Sequence, residues 1–203
     1  MAGARSLTRK ALLTVIVVGL VGVVAGAGTF SAFSATTANS GNSFAAGTVV
    51  ISDSDSGSTM LSLSNAKPTD TSTGCLTVTS TGSLTSNVHL YASLTGSLGS
   101  YLNLTVTRGS GTSGVSCTSF SGDGTNYFGN GAGVIYSGLL SAYPTTYAAG
   151  IVDPANCGSP PCSAQSWTNG NNHSYKFVVT VNNDNNAQGL SATATFTWEA
   201  QNT

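Results

Sequence analysis

Beyond roughly its first forty residues the chain alternates apolar and polar positions in short runs, separated by clusters of Gly, Asn, Asp and Ser. A period of two puts successive side chains on opposite faces of a strand, and the clusters supply turns. The last run is the clearest: Ala192, Ala194, Phe196, Trp198 and Ala200 share one face, and Thr193, Thr195, Thr197 and Glu199 the other. Leu102, Leu104 and Val106 alternate with Asn103, Thr105 and Thr107 in the same way, as do Val88, Leu90 and Ala92 with His89 and Tyr91, which places His89 on a solvent face. Residues 177–181 are apolar on both faces apart from Thr180, as suits a central strand with cover on each side. Strands are expected near residues 48–52, 60–64, 76–80, 87–92, 102–107, 134–137, 175–181 and 192–200. They predict an all-β fold, a jelly-roll-like antiparallel β-sandwich. No helical period follows the N-terminal segment, although residues 137–149 have room for one short turn.

The N-terminal segment has a different pattern. Arg5, Arg9 and Lys10 precede an apolar run from Ala11 to Gly28, the order of a signal or anchor helix whose positive end stays cytoplasmic. At about 1.5 Å per residue the run reaches about 27 Å, barely the thickness of a hydrocarbon core. Small-x-small sites at Ala25-Gly26-Ala27 and at Thr29-Phe30-Ser31 favour cleavage over anchoring. The expected organisation is a signal peptide over 1–31, cut between Ser31 and Ala32, an extended mature N-terminal segment over 32–47, and one sandwich domain over 48–203. Only the uncleaved precursor then touches a membrane.

Charge narrows the partners. Three of the six basic residues lie in the export segment, so Lys67, Arg108 and Lys176 face all seven acidic residues after it. There is no basic stripe for nucleic acid or for anionic membranes. Sparse charge also removes the repulsion that keeps strand edges of soluble monomers apart, which eases self-association. The four cysteines of an exported chain, Cys75, Cys117, Cys157 and Cys162, suggest two disulfides among three possible pairings. The short Cys157-Gly-Ser-Pro-Pro-Cys162 spacing looks like a local clip, which leaves Cys75 and Cys117 to staple a long loop.

Candidate chemistry is thin. Asp53-Ser54-Asp55-Ser56-Gly57 opens like a calcium loop but lacks the third acidic position and the bidentate Glu, so a hairpin turn with Asx bonds is the stronger reading, as it is for Asn182-Asn183-Asp184. No cofactor other than calcium is suggested. A catalytic zinc needs three ligands and a base, and the chain offers His89, His173 and a single glutamate, Glu199, with no HExxH; both histidines read as surface residues. No GxSxG elbow is present. Trp167, Tyr143 and Tyr147, near the Pro-rich loops, are candidates for a carbohydrate-binding or adhesive face, against the plainer reading that they anchor loops in the core. Asn103-Leu104-Thr105 and Asn172-His173-Ser174 are sequons.

Several strings resemble one family. Gly28-Thr29-Phe30-Ser31-Ala32-Phe33 is similar to the junction at which a SipW-type signal peptidase cuts proteins of the TasA/camelysin family. Ser43-Phe44-Ala45-Ala46-Gly47-Thr48-Val49 and Leu63-Ser64-Asn65-Ala66-Lys67-Pro68-Thr69-Asp70 resemble later family strings, and Phe196-Thr197-Trp198-Glu199-Ala200 its closing strand. The resemblance implies a secreted jelly-roll sandwich in the extracellular matrix or on the cell surface, processed by that peptidase. For the TasA branch it implies a homopolymer, a biofilm matrix fibre without catalysis. For camelysin it implies a secreted metallopeptidase, the main alternative. Cleavage frees Ala32, Phe33, Ser34, Ala35, Thr36 and Thr37 as the start of an extended segment that can add to a neighbour's sheet. Such a head-to-tail contact does not close, so it grows filaments.

Overall fold

The computed structural model describes residues 47–203. Ten strands form two antiparallel sheets: β1 (Ile51–Asp53), β2 (Thr71–Ser80), β3 (Ser86–Gly96), β4 (Leu102–Ser110), β5 (Ser121–Gly122), β6 (Val134–Leu139), β7 (Ile151–Val152), β8 (Ser166–Trp167), β9 (Asn172–Val181) and β10 (Ala192–Asn202). The larger sheet runs β1-β2-β9-β4-β5, with β6 also on β4; the smaller runs β10-β3-β7, with β8 also on β3. Chain neighbours β2 and β3, β3 and β4, and β9 and β10 lie in opposite sheets, so the chain crosses the sandwich repeatedly.

Alternation puts the expected residues inside. Leu76 and Val78 of β2, Leu102, Leu104 and Val106 of β4, and Tyr175, Phe177, Val179 and Val181 of β9 face Val88, Leu90 and Ala92 of β3 across a buried core. The sheets meet through aromatics: Phe177 lies 4.7 Å from Phe196 and 5.8 Å from Trp198, and Tyr175 lies 5.5 Å from Trp198, ring centre to ring centre. Pairs of this kind contribute roughly 0.5–1.5 kcal/mol each beyond their buried area.

The five long strands lie where the pattern predicts. The strand expected at 48–52 is shorter and shifted, at Ile51–Asp53. The one expected at 60–64 does not form. That segment passes β2 where Gly74 lets it come close, because a Cβ there would collide with the Met60 carbonyl oxygen. Its Ser62 amide bonds the Ser72 hydroxyl rather than a backbone carbonyl, and Leu61 and Leu63 turn toward β10. The short turn expected within 137–149 is a 3-10 turn at Leu140–Ala142. The signal or anchor helix, the Ser31–Ala32 cleavage point and the segment beginning Ala32, Phe33, Ser34, Ala35, Thr36 and Thr37 lie outside the described residues.

Candidate functional site

The sandwich is open along β10. Among the described residues β10 pairs only with β3, from Ala192 opposite Gly96 to Asn202 opposite Ser86, so alternate residues along its other edge present unpaired N–H and C=O groups. Its apolar face, which the pattern predicts as buried, is only half-buried at Ala194, Phe196, Trp198 and Ala200. A cleft of about 560 Å³ runs between this face and residues 55–63, bounded by Met60, Leu61, Leu63 and Leu76. Smaller cavities extend it at both ends, one of about 140 Å³ beside Leu98, Leu102 and Val181, the other of about 220 Å³ beside Ile51, Asp53 and Val78, and Phe196 lines all three.

Trp198, which lines this cleft, has a buried Nε1 that finds no hydrogen-bond partner among the described residues. A buried donor left unpaired costs about 1–3 kcal/mol. At the rim, burial pushes the Asp53 carboxyl up, helped by its hydrogen bond to and the charge of Asp55. Asp53 Oδ1 also accepts from the Asp55 amide at 3.2 Å, and Asp55 Oδ1 from the Gly57 amide at 2.7 Å. These are the Asx bonds of a turn, with both carboxylates occupied by their own loop. Asp184 makes the same bond to the Asn186 amide, at 2.9 Å.

A second constellation lies at the far end of the core. Asp153 is fully buried and is met by Arg108 Nη1 at 3.4 Å, Trp167 Nε1 at 2.8 Å and His173 Nδ1 at 2.8 Å, all on Oδ2, while Tyr175 donates to Oδ1 at 2.8 Å. Arg108 also donates to the Pro154 carbonyl and, through Nε, to Asp123 Oδ2 at 2.7 Å, an oxygen that Tyr127 reaches at 2.7 Å. Burial alone would lower the Arg108 pKa; the charge of Asp153 and the Asp123 hydrogen bond outweigh it and push it up. The cluster ties the 150–167 strap to β4 and β9. It carries a His–Asp pair, yet among the described residues no Ser, Thr or Cys hydrogen-bonds the His173 ring.

This overturns one expectation: His173 is not a surface residue, because it occupies the inward parity of β9 and its side chain is 16% exposed. His89 does lie on the outer face of the small sheet, where Tyr147 stacks over it. The two histidines therefore sit in different sheets, and among the described residues no three His, Cys, Asp or Glu side chains are grouped to hold a metal. Of the candidate sugar-binding aromatics, Trp167 is 0% and Tyr143 3% exposed, so neither is free; Trp167 spends its N–H on Asp153, and Tyr143 packs against Tyr136 and Phe196. Disulfides join Cys75 to Cys117 and Cys157 to Cys162.

Cleft, edge strand and bridges together define a disulfide-stapled antiparallel β-sandwich with an unfilled seam. Residues 6–96, a stretch that ends with β3, match the family model described as camelysin metallo-endopeptidase. No curated protein matches the chain. The polar cluster, from Arg108 to Tyr175, and β10 lie beyond the matched residues.

Proposed function

We propose that the protein is a secreted structural component that assembles into extracellular matrix or surface fibres, with the mature N-terminal segment of one copy laid as a strand along β10 of the next. The observation that carries this reading is the seam: among the described residues, an unpaired strand edge and a half-buried apolar face line one cleft. An added strand supplies what each of these lacks, namely backbone partners for the edge and apolar side chains such as Phe33 for the cleft. Two disulfides suit an oxidising, extracellular setting, and cleavage before Ala32 by a SipW-type peptidase would release the donor segment only on export.

The test is electron microscopy of the protein beginning at Ala32 and of a variant lacking residues 32–42. Filaments from the first and none from the second, with circular dichroism unchanged, support the reading; filaments from both contradict strand donation. Casein cleavage that a chelator abolishes, without filaments, would favour the camelysin-type peptidase instead.

A further inference from the structure

We infer that the outer face of the small sheet is a binding site for a neutral glycan chain, centred on Tyr91, Tyr147, Glu199 and Gln201. This face is opposite the seam and independent of the fibre reading.

Tyr91 of β3 and Glu199 of β10 point outward on neighbouring cross-strand rows, Tyr91 opposite Thr197 and Glu199 opposite His89. Tyr91 donates its hydroxyl to Glu199 Oε2 at 2.7 Å, and Gln201 donates Nε2 to Oε1 at 2.8 Å. The bonds from Gln201 and then Tyr91 hold the Glu199 carboxyl below its usual range, and the bond to Glu199 raises the Tyr91 phenol, so the acceptor stays charged and the donor keeps its proton. Tyr147 lies flat on His89, with ring centres 4.2 Å apart and planes 12° apart, and its carbonyl oxygen is 2.9 Å from His89 Nδ1. Two tyrosine rings, an oriented carboxylate and an exposed amide are thus held on one rigid sheet face.

This is sugar chemistry more than protein-interface chemistry. A pyranose offers an apolar C–H face to an aromatic ring and a rim of hydroxyls to polar groups, and an ionised carboxylate with two donors still has acceptor sites to spare. The cores of protein interfaces are depleted of charged residues such as Glu, whereas here a carboxylate sits at the centre. The exposed large apolar residues of the described chain, Val50, Leu84 and Leu139, lie elsewhere. The rows Thr195–Ser93 and Thr193–Thr95 extend the face with hydroxyls, so from Glu199 to Thr193 it runs roughly 20 Å, at about 3.4 Å per residue. A flat track of that length suits a chain rather than a single sugar. The ligand is neutral because Glu199 and the acidic balance of the molecule repel polyanions.

The test is isothermal titration of the purified protein with cellohexaose, laminarihexaose, maltohexaose and chitohexaose, and with polygalacturonate. Binding of at least one neutral hexasaccharide is expected, weakened about tenfold by Glu199→Gln and by Tyr147→Ala, the effect of losing one hydrogen bond or ring contact. Tyr91→Phe, which keeps the ring, controls for folding by its unchanged thermal melt and weakens binding less. The proposal is overturned if none of the four neutral probes binds, if polygalacturonate binds best, or if all three variants bind as the parent does.

Discussion

Arg108 and Asp153 form an ion pair, 3.4 Å apart, in which both side chains are buried, at 4% and 0% exposure. The pair joins β4 to a strap of little regular structure. Its worth lies less in the pairwise attraction than in the other donors that share the carboxylate.

Asp153→Ala should therefore be among the most damaging single changes. It leaves the Trp167 indole, the Tyr175 hydroxyl and His173 without their acceptor in the interior and leaves Asp123 as the sole carboxylate on the buried Arg108 guanidinium, at a cost of about 3–5 kcal/mol. Urea denaturation checks this, and a midpoint equal to that of the parent would contradict the role given to the cluster.

Alkaline pH should unfold the protein more steeply than its few charges suggest. Burial raises the Tyr127, Tyr143 and Tyr175 phenols above the ordinary value of 10.0. Below pH 10 both states hold these protons. Above it the unfolded chain releases them while the fold keeps them, so stability falls as pH rises, by up to about 1.4 kcal/mol per pH unit for each tyrosine. Phenolate absorbance rising in step with the loss of tertiary circular dichroism is expected; three phenols titrating early in the folded state would refute it.

The two bridges should differ in weight. Replacing Cys75 and Cys117, separated by 42 residues, should cost about 4 kcal/mol on the chain-entropy account, whereas replacing Cys157 and Cys162, separated by 5, should cost about 2 kcal/mol. Thermal melts of the two double-serine variants decide the order.

Much of the sandwich is legible in the sequence because β3, β4 and β10 each keep strict alternation over at least six residues, while β2 and β9 show it over shorter stretches and β9 is apolar on both faces near its end. The two-residue strands β5, β7 and β8 carry no period at all and exist only because a long strand lies beside them. The apolar Met60, Leu61 and Leu63 mislead because their side chains line the seam without their backbone entering a ladder. The polar cluster had a readable signal: Arg108 continues the inward parity of Leu102, Leu104 and Val106, and His173 and Tyr175 that of Phe177, Val179 and Val181. A charge on the apolar parity of a strand requires a buried counter-charge. Which carboxylate answers it, Asp153 in a loop 45 residues away, is set by tertiary structure alone. The seam was invisible for a related reason: alternation shows which face of β10 is apolar, not whether another strand covers it.

The measurement closest to the central claim is photo-crosslinking from position 33. A photoreactive phenylalanine replaces Phe33 in the protein beginning at Ala32, and ¹⁴N- and ¹⁵N-labelled copies are mixed before assembly. Strand donation requires mixed-isotope crosslinks from position 33 to residues 192–198 or 59–63 of another copy. Crosslinks confined to a single copy, or a cleft that never reacts while filaments form, would contradict it.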